Sequence, residues 1–253
     1  MGLRKGKDGT AMNGPLISVI HATRGRPQKA VDTMLLWLCR AKNPGSIEYV
    51  FVVNADDPTA DQLFNGVEAV KSTNPPAIII KADVKYSAPA WNVGASSSTG
   101  MLLVQGQDDV EPPTNWDSEL CWLIEARAHW NEPVFIAVGD GYRKGPAADL
   151  CCTAIMTRAY FHQKGHFLFP GYRSVFSDDD VTYNALRDAR DGVCTFIDAR
   201  EKLVFLHRHH YHDKTVPWDQ TYAHENSAEA YAQGQRLFLE RNPRSTTDGL
   251  KKW

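Results

Sequence analysis

No apolar run in this 253-residue chain approaches the ~20 residues that a membrane-spanning helix needs. The basic, Gly-rich segment Met1–Gly14 leads into Leu16–Ile20, which is too short for the apolar core of a secretion signal. Charge of one sign is also lacking. Thirty acidic residues against 28 basic ones leave a formal net charge of -2, so no global field draws the chain to nucleic acid. Cysteine is sparse and unpatterned: Cys39, Cys121, Cys151, Cys152 and Cys194 are odd in number, and none forms a C-x-x-C pair. That excludes a disulfide framework and a structural zinc site and fits a reducing compartment. Repeats and low-complexity segments are absent. The expectation is a cytoplasmic protein without membrane contact, with a flexible segment over 1–13 and a single domain over 14–253. A chain of this length can bury a core without staples.

What is present is an alternation. Leu16–His21 is a short β-branched run that reads as a buried strand. After the loop Thr23–Pro27, apolar residues at Ala30, Val31, Met34, Trp37, Leu38 and Ala41 recur at helical spacing, and Asn43–Gly45 stops that helix. Glu48–Val53 reads as a second strand ending in the acidic loop Asn54–Pro58. A helix through Val67 and Val70 follows, then a strand at Ala77–Ile80. A small-residue helix starting near Ala90–Gly94 runs to Gly100, and a fourth strand, Met101–Val104, runs into Gln105–Asp109. This order predicts an α/β fold with a doubly wound, mostly parallel, Rossmann-like sheet. Ligands of such sheets bind at the carboxyl ends of the strands, where the loops at 23–26, 54–57 and 105–109 fall. The second half is less regular. Helices are expected at Trp116–Ala128, Asp180–Ala189 and Asn226–Glu240, the last with Asn226 and Glu229 as a capping box. Strands are expected at Val134–Val138 and Lys202–Leu206, and a Gly-rich loop over Gly139–Asp149.

Asp108 and Asp109 are adjacent carboxylates at the end of a buried strand, and they repel one another unless a cation or donor groups intervene. Magnesium and manganese prefer oxygen ligands and bind through one or two carboxylates together with substrate phosphates. The bland alternative is a solvated acidic turn. Ser177–Asp180 is a second acidic cluster, ahead of a helix. It reads either as a helix N-terminus favoured by the dipole or as the source of a general base. His207, His209, His210 and His212 fall within six residues after the strand ending at Leu206. Alternate positions of an extended segment face the same way, so His207 and His209 are candidates for one site.

The stretch Ala90–Asp109 resembles the donor-site segment of family-2 glycosyltransferases, which have the GT-A fold. The match lies in Asn92, Gly94, Gly100, Asp108 and Asp109. The resemblance implies an Asn-x-Gly turn opening a small-residue helix, then a strand delivering an Asp-rich metal motif. Trp91 stands where that family has an Arg, and Gln107 where it often has a first Asp. Ile17–Pro27 and Val52–Asp57 are similar to the family's nucleotide-contacting strand ends. The resemblance implies donor contacts from Thr23, Arg24, Arg26, Asn54, Asp56, Asn92 and Asp108. It implies a divalent metal, Mn2+ or Mg2+, on Asp109 with His209 (or His207), and a base at Asp178 or, one residue on, Asp179. The implied activity is metal-dependent, inverting transfer of a sugar from a nucleotide diphosphate donor, with UDP-sugars foremost. Residues 14–115 would form the nucleotide-sugar half and 116–253 the acceptor half with its C-terminal helix. The acceptor is open: a glycan, a small molecule or a hydroxymethylated base in phage DNA. Trp116, Trp122, Trp130, Trp218 and Tyr222 enrich the acceptor half, mainly as core material. Competing readings are a metal-dependent hydrolase, a sugar nucleotidyltransferase and a sugar-nucleotide-binding domain without turnover.

Overall fold

The computed structural model describes residues 15–70, 77–142 and 150–245. Strand β1 (Ile17–Thr23) is buried along most of its length, because it is hydrogen-bonded on both edges and covered on both faces. Its alternating side chains divide accordingly: Ile17 and Val19 join one core cluster, and Ile20 joins the other. Helix α1 (Pro27–Arg40) begins on its proline, whose missing N–H costs nothing in a first turn. Strands β2 (Ile47–Asn54), β3 (Ala77–Ala82) and β4 (Leu102–Gly106) alternate with helices α2 (Ala60–Val70) and α3 (Ser87–Ser97). All four strands run parallel.

The ribbon strand β5 (Val110–Glu111) and helix α4 (Trp116–Arg127) follow, then β6 (Val134–Ala137), β7 (Ile155–Thr157), α5 (Arg158–Lys164), α6 (Ser177–Arg190) and β8 (Thr195–Asp198). The seven-stranded sheet has the order β3-β2-β1-β4-β7-β6-β8. Strand β7 is antiparallel to β4 and β6, while β8 is parallel to β6. The sheet is thus mostly parallel, with one reversed strand in the second half. Helices α1, α2 and α4 cover one face. Helices α3, α5, α6 and α8 (Ala228–Arg241) cover the other. Strand β9 (Leu206–His207) pairs antiparallel with β5, and the short helix α7 (Gln220–Glu225) follows it. Among the described residues no helix is long and apolar enough to cross a membrane.

Several expected boundaries move. Helix α3 starts at Ser87, so Asn92 lies inside it and opens no turn. The strand expected over Lys202–Leu206 contracts to Leu206–His207, because upstream only a single bridge, Gly139 to Val204, holds the chain to the sheet. The cap of α8 is Ser227, which accepts from the Ala230 N–H. Glu229 bonds Arg173 rather than closing a capping box. Residues 177–180 form the first turn of α6 rather than preceding it. The expected flexible segment 1–13 and residues 143–149 of the Gly-rich loop lie outside the described residues.

Candidate functional site

The loops after β1, β2 and β4 open on one cleft of about 890 Å³, a volume that suits a ligand of nucleotide size. Across from them stand the first turn of α6, the histidine segment after β9, and α7. Every sequence-predicted site residue lines this cleft except Asn92. Both ends of the Asn92 amide are engaged on backbone: Nδ2 donates to Ala88 O (2.9 Å) and Leu168 O (2.5 Å), and Oδ1 accepts from the Phe167 N–H. It ties α3 to the segment after α5.

The loop after β1 is shaped by Gly25, at φ +69°, whose N–H donates to the Asp57 carboxylate at 2.8 Å. Asp57 is buried and also accepts from Thr59, so it fastens the first loop to the second. Arg24 bonds the exposed Asp56 at 2.6 Å. Arg26 turns inward. Its guanidinium grips Asp219, the N-cap of α7, lies 3.7 Å from Asp108, and stacks 4.7 Å over the Tyr222 ring.

The adjacent aspartates face different surroundings. Asp108 accepts from His21 Nε2 at 2.9 Å and from Thr23 Oγ1, and its carbonyl accepts from Thr33. His21 is fully buried, with its other ring nitrogen 2.7 Å from Tyr49 Oη. Asp108 is therefore held by groups that the sheet itself supplies. The Asp109 carboxylate receives the Tyr222 hydroxyl and lies 3.5 Å from His207 Nε2. Burial works against its ionisation, but His207, Tyr222 and Lys29 outweigh that and hold it well below the usual carboxylate range. The His209 ring lies 5.2 Å from that of His207, its Nδ1 accepts from the Tyr211 N–H, and it meets Tyr222 edge-on.

Among the described residues no group of three or more His, Cys, Asp or Glu is arranged to hold a metal ion. The donor set at hand is one carboxylate and one imidazole, Asp109 and His207. That fits a hard ion that takes one or two ligands from protein and the rest from phosphate and water.

The three aspartates of α6 have separate fates. Phe176, the N-cap, adopts a left-handed conformation (φ 70°) and buries its ring. A non-glycine residue there is strained, and it aims the first turn of α6 into the cleft. Asp178 is half-buried and accepts from the Asp179 N–H at 3.1 Å. Asp179 is more deeply buried, and both line the cleft. Asp180 bonds Arg241, Asn242 and Tyr172, so it anchors α8.

Helix α7 and its cap make contacts at the cleft that the sequence reading did not foresee, having taken Tyr222 mainly as core material and passed over Asp219 and Glu225. Tyr222 meets Asp109, Asp219 meets Arg26, and Glu225 accepts from Ser174 Oγ at 3.2 Å. Burial pushes the Glu225 carboxyl up to about 7, against the pull of Ser174, Arg26 and Ser87. The available signal was Asp219 at cap spacing before Tyr222, easily lost in a polar, aromatic stretch.

No family model and no curated protein matches this sequence. Solved structures do. The mannosyltransferase PcManGT from Pyrobaculum calidifontis, in complex with GDP-Man and Mn2+, superposes with a TM-score of 0.62 at 15% identity, over 92% of this chain and 65% of that one. TarS 1-349 from S. aureus gives 0.59 at 13% identity, over 88% and 64%. Its complex with UDP-GlcNAc gives 0.55 at 14%, over 92% and 74%. The chain spans just under two thirds of the length of the first two. At these identities the likeness speaks for architecture, and the chain has the GT-A glycosyltransferase fold.

Proposed function

We propose that the chain is a divalent-metal-dependent, family-2-like glycosyltransferase that moves a sugar from a nucleotide diphosphate donor, a UDP-sugar foremost, to an acceptor hydroxyl with inversion. The observation that carries this is the Asp109 carboxylate facing His207 at the carboxyl edge of a GT-A sheet, across one cleft from the first turn of α6. The nucleotide-sugar complexes of PcManGT and TarS support it by analogy of fold.

In this reading the loops 23–26 and 54–57 bind the nucleotide, and Asp108 serves its ribose. Arg26, the one of these groups that combines positive charge with burial in the cleft wall, meets the diphosphate. Asp109 and His207 hold the ion, Mn2+ or Mg2+, with His209 beside them. The ion's chemistry is neutralisation of charge on the departing diphosphate. The acceptor oxygen bonds to the anomeric carbon as the bond from that carbon to the diphosphate oxygen breaks. Asp178, or Asp179 beside it, takes the acceptor proton, and the nucleotide diphosphate leaves. The acceptor is a hydroxyl of a glycan, a small molecule or a modified DNA base.

Calorimetric titration of UDP with and without manganese tests the binding half of this reading. Saturable binding that strengthens with manganese is expected, and its manganese dependence disappears in Asp109→Ala. Equal affinity with and without the ion in the wild-type protein contradicts the metal assignment.

A further inference from the structure

We propose that Glu225 is the carboxyl that binds hydroxyls of the donor's transferred sugar, an inference that rests on the nucleotide-sugar reading above. Asp219, Tyr222 and Glu225 are spaced three residues apart, so the cap and body of α7 present them on one side. Each engages a different part of the cleft: Asp219 the Arg26 guanidinium, Tyr222 the Asp109 carboxylate, Glu225 the Ser174 hydroxyl. Three helical residues rise ~4.5 Å, which separates the point where α7 meets Asp109 from the point where it meets Ser174. The carbonyl of Ser174 in turn accepts from the N–H and the hydroxyl of Ser177, the residue that opens α6 immediately before Asp178. Glu225 thus lines the cleft on a helix tied to Asp109 through Tyr222 and, through Ser174, to the first turn of α6, the wall that a sugar held between diphosphate and base would face.

The chemistry around Glu225 fits the same ligand. Asp56 in the cleft wall is paired with Arg24, and Asp219 at the cap of α7 with Arg26. Glu225 instead accepts from the Ser174 hydroxyl. A ligand hydroxyl can take the place of a serine hydroxyl without leaving the carboxyl unsatisfied. Its carboxylate oxygens can accept from sugar hydroxyls as one of them accepts from Ser174. The ligand class is a neutral sugar with free hydroxyls. A donor sugar that carries its own carboxylate meets like charge here and is disfavoured.

The test compares affinities for a nucleotide and for its sugar derivative. UDP against UDP-glucose and UDP-N-acetylglucosamine, and GDP against GDP-mannose, are titrated calorimetrically with manganese into the wild-type protein, Glu225→Ala and Glu225→Gln. The expected result is a wild-type preference for at least one sugar nucleotide over its parent nucleotide. In Glu225→Ala that preference falls about 10- to 100-fold, the scale of a hydrogen bond to a charged group. Parent-nucleotide affinity stays constant, and Glu225→Gln, which keeps donor and acceptor atoms, retains part of the preference. An unchanged preference in both variants overturns the proposal. So does an equal loss for nucleotide and sugar nucleotide, which marks Glu225 as structural. Tighter nucleotide binding in the variants overturns it too, by showing that α7 obstructs the cleft rather than completing it. Failure of the wild-type protein to bind any nucleotide defeats the nucleotide-sugar reading itself, and this inference with it.

Discussion

Asp108 and Asp109 share a strand end but not their surroundings. Asp108 is hydrogen-bonded by His21 and Thr23, which both come from β1, so its position is fixed by the sheet. Asp109 is met by His207 and Tyr222, which come from the chain's last third, and it is the carboxylate to which the proposed function gives the ion. The sequence showed the acidic pair and the histidine run. Period-2 logic puts His207 and His209 on one side, and the sequence reading preferred His209. The register of β9 against β5 instead brings His207 opposite Val110, next to Asp109, which is why the proposed ion site uses His207. The α6 aspartates make a similar case. Asp178→Asn keeps size and hydrogen bonding but cannot accept a proton, so the transfer step should slow by ~10²–10⁴-fold while donor binding persists. Single-turnover kinetics measure it, and a fully active Asp178→Asn with an inert Asp179→Asn moves the base by one residue. Asp180 belongs to stability. Removing its carboxylate from the partly exposed Arg241 and from Asn242 and Tyr172 should cost about 1–3 kcal/mol, read as a lowered urea midpoint in Asp180→Ala with the slope unchanged.

At the scale of elements, the glycines of the family resemblance act through packing. A Cβ on Gly94 would stand 2.3 Å from Ile20 Cγ2 and 3.0 Å from Val52 Cγ2, so α3 lies against the sheet only because that side chain is missing. A Cβ on Gly100 would meet Ser18 at 2.5 Å. Overpacking of this kind costs about 1–3 kcal/mol. Gly94→Ala should therefore lower the denaturation midpoint, and chemical denaturation followed by circular dichroism checks it. The helices and strands of the first half were legible because their apolar residues repeat at clean periods and are bounded by turn residues. Helix α7 was not. Six residues, all but Ala223 polar or aromatic, in a run of similar composition give no period, and its position is set by tertiary partners, Arg26 and Asp109, that lie nearly two hundred and over one hundred residues away. Strand β7 was missed for a related reason: its three buried residues, Ile155–Thr157, carry no alternation that marks a reversed strand.

At the scale of the molecule, sheet order explains why one cleft gathers residues from the whole chain. With β4 central and β1 beside it, the loops after both strands open on the same edge, and the antiparallel β7 returns the chain so that α6 faces them. The near-neutral charge leaves recognition to this cleft rather than to a global field. The central claim is metal-dependent turnover of a nucleotide sugar. The measurement that tests it most directly is release of nucleotide diphosphate from a panel of nucleotide-sugar donors, with manganese and then with excess chelator, across a panel of hydroxyl acceptors. The account predicts release from at least one donor, stimulated by an acceptor, stopped by chelator and absent in Asp109→Ala. Release that persists undiminished in chelator, or in Asp109→Ala, would contradict it.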